Sequence, residues 1–109
     1  MNQQIFGQVG KLKPEKIAEY VALHNNPWPE VLQKIKECQL QNYSIFLLGD
    51  TVFTYFEYTG TDYQGDMDRM AADPKTQEWW THTKPCFERF AWSKDAEFYA
   101  DMKPIFYLS

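Results

Sequence analysis

His24 and Tyr20 are the first residues along this chain whose types and spacing suit proton transfer. Residues four apart share a helix face, so both side chains can enter one cavity. Histidine exchanges protons near neutral pH, and a phenol hydroxyl both donates and accepts. Read by itself, a histidine near a helix C-terminus serves equally as a cap that favours the helix dipole. The run that follows, His24-Asn25-Asn26-Pro27-Trp28-Pro29-Glu30, supplies context. Two prolines around a tryptophan stiffen the connection and would hold His24 in position. An ordinary helix-helix turn with Trp28 as its hydrophobic plug fits the same residues.

Trp79 and Trp80 are adjacent, and neighbouring helical positions point about 100° apart. One ring is therefore expected in the core and the other as a pocket wall or an interface residue. Tyr43 is a third aromatic candidate, either a ligand contact through its hydroxyl or an amphipathic sheet residue. Two tyrosines, a tryptophan and a histidine suit a ligand with both an apolar face and hydroxyl groups. Metal and nucleophile chemistry find less support. His24 and His82 are the only histidines, they fall on different elements, and no carboxylates stand at ligand spacing near either. No nucleophile elbow and no Gly-rich phosphate loop is present either, and no metal site is expected.

The elements that must position these residues follow from periodicity. Ile5 and Val9 mark a first strand. Pro14 opens a helix with Ile17, Tyr20, Val21 and His24 on one face. Asn25-Asn26-Pro27 breaks it, and Pro29 starts another with Val31, Leu32, Ile35 and Cys38 as its stripe. Residues 42–48 and 51–58, joined by Gly49-Asp50, read as a β-hairpin. Residues 62–73 form a weaker helix with Met67 and Met70 inward, while Asp62, Asp66 and Asp68 read as a solvated face. Pro74 begins the helix of Trp79 and Trp80, and residues 104–108 read as the last strand.

The order β-α-β-β-α-β is that of the α+β, ferredoxin-like split-βαβ sandwich, expected here as one domain over residues 1–109. Its second sheet face stays apolar through Ile45, Leu47, Phe53 and Tyr55 or their alternates. Two such faces packed together would give a dimeric α+β barrel, so a homodimer is expected. An aromatic fraction of 17% exceeds what a small core needs and fits a pocket or interface.

A net charge of -4 without a basic stripe argues against nucleic acid as partner. No apolar run reaches bilayer length, and Met1-Asn2-Gln3-Gln4 does not open a secretory signal. Cys38 and Cys86 lie far apart and outside any CxxC motif, so reduced, buried thiols and a cytoplasmic setting are expected.

Over nearly its whole length the sequence resembles the L-rhamnose mutarotase family. The resemblance is carried by Glu19-Tyr20 with His24, Trp28-Pro29-Glu30, Asn42-Tyr43-Ser44-Ile45, Trp79-Trp80 and Phe106-Tyr107-Leu108. It implies a dimeric α+β barrel that interconverts the anomers of L-rhamnose without a cofactor. It also implies His24 as proton donor, with Tyr20, Tyr43, Trp79 and Trp80 as substrate contacts. Two stretches depart from the family pattern. One is Asn25-Asn26-Pro27, which keeps the His24–Trp28 distance but alters the turn. The other is residues 88–103, including Trp92, where sugar preference could differ. A mutarotase for another 6-deoxy sugar such as L-fucose, a cofactor-independent monooxygenase and a non-enzymatic binding module are the alternative readings.

Overall fold

The computed structural model describes residues 4–91 and 98–109; Trp92 lies outside them. Strand β1 (Gln4–Leu12) leads through a 3-10 turn at Pro14–Lys16 into helix α1 (Ile17–Asn25) and helix α2 (Pro29–Glu37). Strands β2 (Leu40–Leu48) and β3 (Thr51–Tyr58) follow, then helices α3 (Tyr63–Ala72) and α4 (Pro74–Thr83). A 3-10 turn precedes two short strands, β4 (Phe87–Glu88) and β5 (Tyr99–Met102).

Local chemistry sets these boundaries. Pro29 and Pro74 occupy first-turn positions, where a missing N–H costs nothing. Asp62 and Asp73 cap α3 and α4 by accepting from the Gly65 and Thr76 amides at 3.0 and 2.9 Å. Gly49 takes a φ of 63° at the hairpin turn, a conformation glycine adopts without a steric penalty.

All strand pairs are antiparallel, and the sheet order is β2-β3-β1-β4, with β5 also paired to β1. This is the ferredoxin-like order. The fourth strand position is split: β4 pairs with residues 11 and 12 of β1, and β5 with residues 7 to 10. The expected strand at residues 104–108 is therefore misplaced. The strand lies at Tyr99–Met102, and residues 103–109 pair with none of the described strands. Ile105, Phe106 and Leu108 in that stretch are 80–91% exposed.

Register also divides the sheet faces differently from expectation. Ile45 pairs with Thr54 and Leu47 with Val52, so these lie on the helix-covered face. Phe53 and Tyr55 lie on the opposite face with Phe46 and Leu48. Under the helices, Leu12, Tyr20, Val52, Cys86 and Phe87 form one buried cluster, and Leu40, Phe56 and Tyr58 another. Complete burial of such a Leu or Val side chain stabilises by about 1.5–3 kcal/mol.

Asp66 is not on a solvated face. It is buried, accepts a 2.5 Å bond from the Tyr58 hydroxyl and pairs with Arg69. These partners hold its carboxyl below the usual range. Met67 and Met70 do pack inward, against the second cluster. Cys38 and Cys86 are buried and unbridged, and burial pushes both thiols up.

Candidate active site

A cavity of about 980 Å³ opens between α1, α2, α4 and the helix-covered face of the sheet. His24, Tyr20, Tyr43, Trp79 and Trp80 all line it. Residues scattered over sixty positions of sequence thus meet around one space.

Helix α1 supplies Tyr20 and His24, whose rings lie 4.3 Å apart between centroids. The His24 ring is fixed by a hydrogen bond from Nδ1 to the Tyr20 carbonyl oxygen, 2.9 Å long. A carbonyl only accepts, so Nδ1 carries a proton and Nε2 is the nitrogen free to serve a ligand. Trp79 holds the ring from another side, edge-on at 5.5 Å, and itself rests against Trp28 at 5.2 Å. The Pro27-Trp28-Pro29 connection therefore acts on His24 through Trp79. Trp28 also meets His82 at 5.5 Å, which keeps the second histidine on the far side of this stack.

Trp79 is buried and Trp80 half-buried, the division of labour expected for neighbours on a helix. Lys84 lies over the Trp80 ring at 4.5 Å. Tyr43 stands at an irregularity of β2, where Asn42 has a φ of 50° and the register slips between Gln41 and Ser44. The slip lays the Tyr43 ring on Phe56, 5.3 Å away and nearly parallel. Although the residue is partly exposed, its hydroxyl is buried enough to be raised well above the ordinary phenol range.

The hydroxyl of Tyr20 lies 2.7 Å from that of Tyr99, a residue the sequence reading missed. Burial first, then Tyr99, hold Tyr20 far above its ordinary value, so it works as a neutral phenol. Gln8, also missed, lines the cavity and donates to Asp101 at 2.8 Å. For Tyr99 the sequence signal was the alternation in Tyr99-Ala100-Asp101-Met102, which suits a short strand. Among the described residues, no three His, Cys, Asp or Glu side chains gather as a metal site. No described helix is long and apolar enough to cross a membrane.

Comparison with known proteins identifies the family. A family model described as L-rhamnose mutarotase matches residues 6–108. An L-rhamnose mutarotase of Oceanobacillus iheyensis is 31% identical over 104 residues, covering 94% of this chain and 95% of the relative. One of Listeria monocytogenes is 30% identical over 98 residues, covering 90% and 91%. The crystal structure of an L-rhamnose mutarotase from Formosa agariphila superposes with a TM-score of 0.75 at 19% identity, over 97% of this chain and 99% of that one. A putative antibiotic biosynthesis monooxygenase from Nitrosomonas europaea shares the fold alone, with a TM-score of 0.61 at 12% identity, covering 92% and 86%. With the family's pattern matched from the first strand through the exposed tail, this chain belongs to the L-rhamnose mutarotase family.

Proposed function

We propose that this protein interconverts the α and β anomers of L-rhamnose, with His24 as the proton donor to the ring oxygen. The observation that carries the reading is the Nδ1 bond to the Tyr20 carbonyl, which leaves Nε2 to the cavity's ligand. Ring opening breaks the bond between C1 and the ring oxygen. That oxygen takes the Nε2 proton of doubly protonated His24, which becomes a neutral ring with Nδ1–H still on the Tyr20 carbonyl, and the anomeric hydroxyl loses one as C1 becomes an aldehyde. A bound water, or a tyrosine hydroxyl that passes its own proton on as it takes this one, receives the second proton. Rotation about C1–C2 then lets the ring close on the opposite face, with both transfers reversed. Nothing is oxidised or reduced, so the reaction itself requires no cofactor.

The cavity walls suit such a substrate. Trp80 and Tyr43 offer flat apolar surface to the sugar's C–H face, and Trp79 backs His24. Hydroxyl partners come from Tyr20 and Gln8. We read the active species as a homodimer in which a second copy covers the open sheet face. Support comes from Phe46 and Leu48 on that face, 62% and 74% exposed, and from the exposed apolar tail. A cytoplasmic setting fits the two unbridged buried thiols.

Saturation-transfer NMR on L-rhamnose, L-fucose and other reducing sugars tests the reading, because it reports anomer exchange without a coupled enzyme. His24→Ala should slow exchange by roughly 10²–10⁴-fold, the usual contribution of one positioned acid. Its circular dichroism should stay that of the parent, since His24 is only half-buried. Unchanged exchange in that variant would overturn the assignment. Faster exchange of L-fucose than of L-rhamnose would reassign the substrate.

A further inference from the structure

We propose that Tyr99 is a positioning residue of this site, its hydroxyl holding that of Tyr20 in place at the wall of the cavity. The inference rests on the mutarotation reading above and names a residue which that reading does not require.

The geometry begins in the sheet. Tyr99 pairs across β1 with Gly10, and Gly10 has no side chain to fill the space. A Cβ there would stand 2.8 Å from Phe87 Cε1 and 3.2 Å from Tyr99 Cδ1. The glycine thus leaves a slot in which the Tyr99 and Phe87 rings meet edge to face, 4.8 Å apart. Seated there, Tyr99 points its hydroxyl at α1, where it reaches Tyr20 at 2.7 Å.

Each phenol has one proton, and only one of the pair can donate across that bond. In either direction the bond ties the Tyr20 hydroxyl to Tyr99, so it sets where that hydroxyl stands against the cavity which both residues line.

The test is a double-mutant cycle read by anomer exchange and by NMR of tyrosine labelled at 13Cζ. Tyr99→Phe should lower kcat by about 5- to 10-fold with KM nearly unchanged, the scale of one lost hydrogen bond. In a Tyr20→Phe background the same change should cost nothing further, since the hydroxyl it orients is gone. The Tyr20 13Cζ resonance should shift in Tyr99→Phe, a signal that needs no sugar. If Tyr99→Phe does not fold, Gly10→Ala decides the matter: its Cβ would press on the Tyr99 ring, so kcat should fall and the Tyr20 resonance should move. An active parent with kcat unchanged in Tyr99→Phe, or losses that simply multiply in the double variant, would overturn the proposal. A parent that exchanges no sugar in the panel would instead sink the mutarotation reading, and this proposal with it.

Discussion

Trp79 and Trp80 show how adjacent residues of one type acquire different work. Trp79 is 7% exposed and wedged between His24 and Trp28, so its ring is both core and support. Truncating such a buried aromatic costs about 3–5 kcal/mol. Trp79→Ala should therefore fail in urea unfolding before its activity can be measured. Trp80 contributes a cavity wall, with Lys84 over its ring. Trp80→Ala should leave the urea midpoint close to that of the parent and raise KM roughly 10-fold, as expected for loss of one aromatic contact face. Equal destabilisation by both truncations would contradict the division. The 100° offset between neighbours made the split legible in the sequence, as did the i, i+4 pairing of Tyr20 with His24. Tyr99 was not legible, because its partner hydroxyl stands 79 residues away and no local pattern encodes that meeting.

At the level of elements, α3 is tied to the sheet by charge as well as by Met67 and Met70. Asp66 accepts from Tyr58 on β3 and from Arg69 one turn along its own helix. Tyr58 first, then Arg69, depress its carboxyl below the ordinary 3.8. A depressed carboxylate contributes stability that is complete above its unfolded value and is lost as pH falls through the folded one. Asp66→Asn should therefore be less stable than the parent at pH 7. The gap should narrow below about pH 4 and close as pH falls below the folded value. Urea unfolding at several pH values measures it, and a gap constant down to pH 2.5 would contradict the ion-pair account. Spacing alone suggested a solvated acidic face here. The error has a simple cause: helical periodicity says which residues share a side, but not that a tyrosine from another element waits beneath it.

For the whole molecule the unresolved balance is between covered and uncovered apolar surface. One sheet face is packed by four helices, while the other presents Phe46 and Leu48 largely to solvent. Exposed apolar patches of this kind mark interaction sites. If a second copy covers this face, the parent should sediment as a dimer. The pair Phe46→Glu and Leu48→Glu should sediment as a monomer with the parent's circular dichroism. Dimers surviving that double change would place the interface elsewhere. The exposed tail at residues 105–108 belongs to the same question, since its apolar side chains find no burial within the described chain.

The sequence by itself determined the kinds of element, their order up to the fourth strand, the inward faces of α1 and α2 apart from Val21 and Leu32, which are exposed, and the pairing of His24 with Tyr20. These are matters of local periodicity, proline and capping chemistry, each decided within a few residues. The family pattern added the grouping of Tyr43, Trp79 and Trp80 with that pair. Only the tertiary structure decided strand register, and with it which residues of β2 and β3 face the helices. It alone split the fourth strand between β4 and β5, buried Asp66, and set Tyr99 against Tyr20. Such choices depend on contacts between residues distant in the chain, where one step of register exchanges every inward side chain for an outward one.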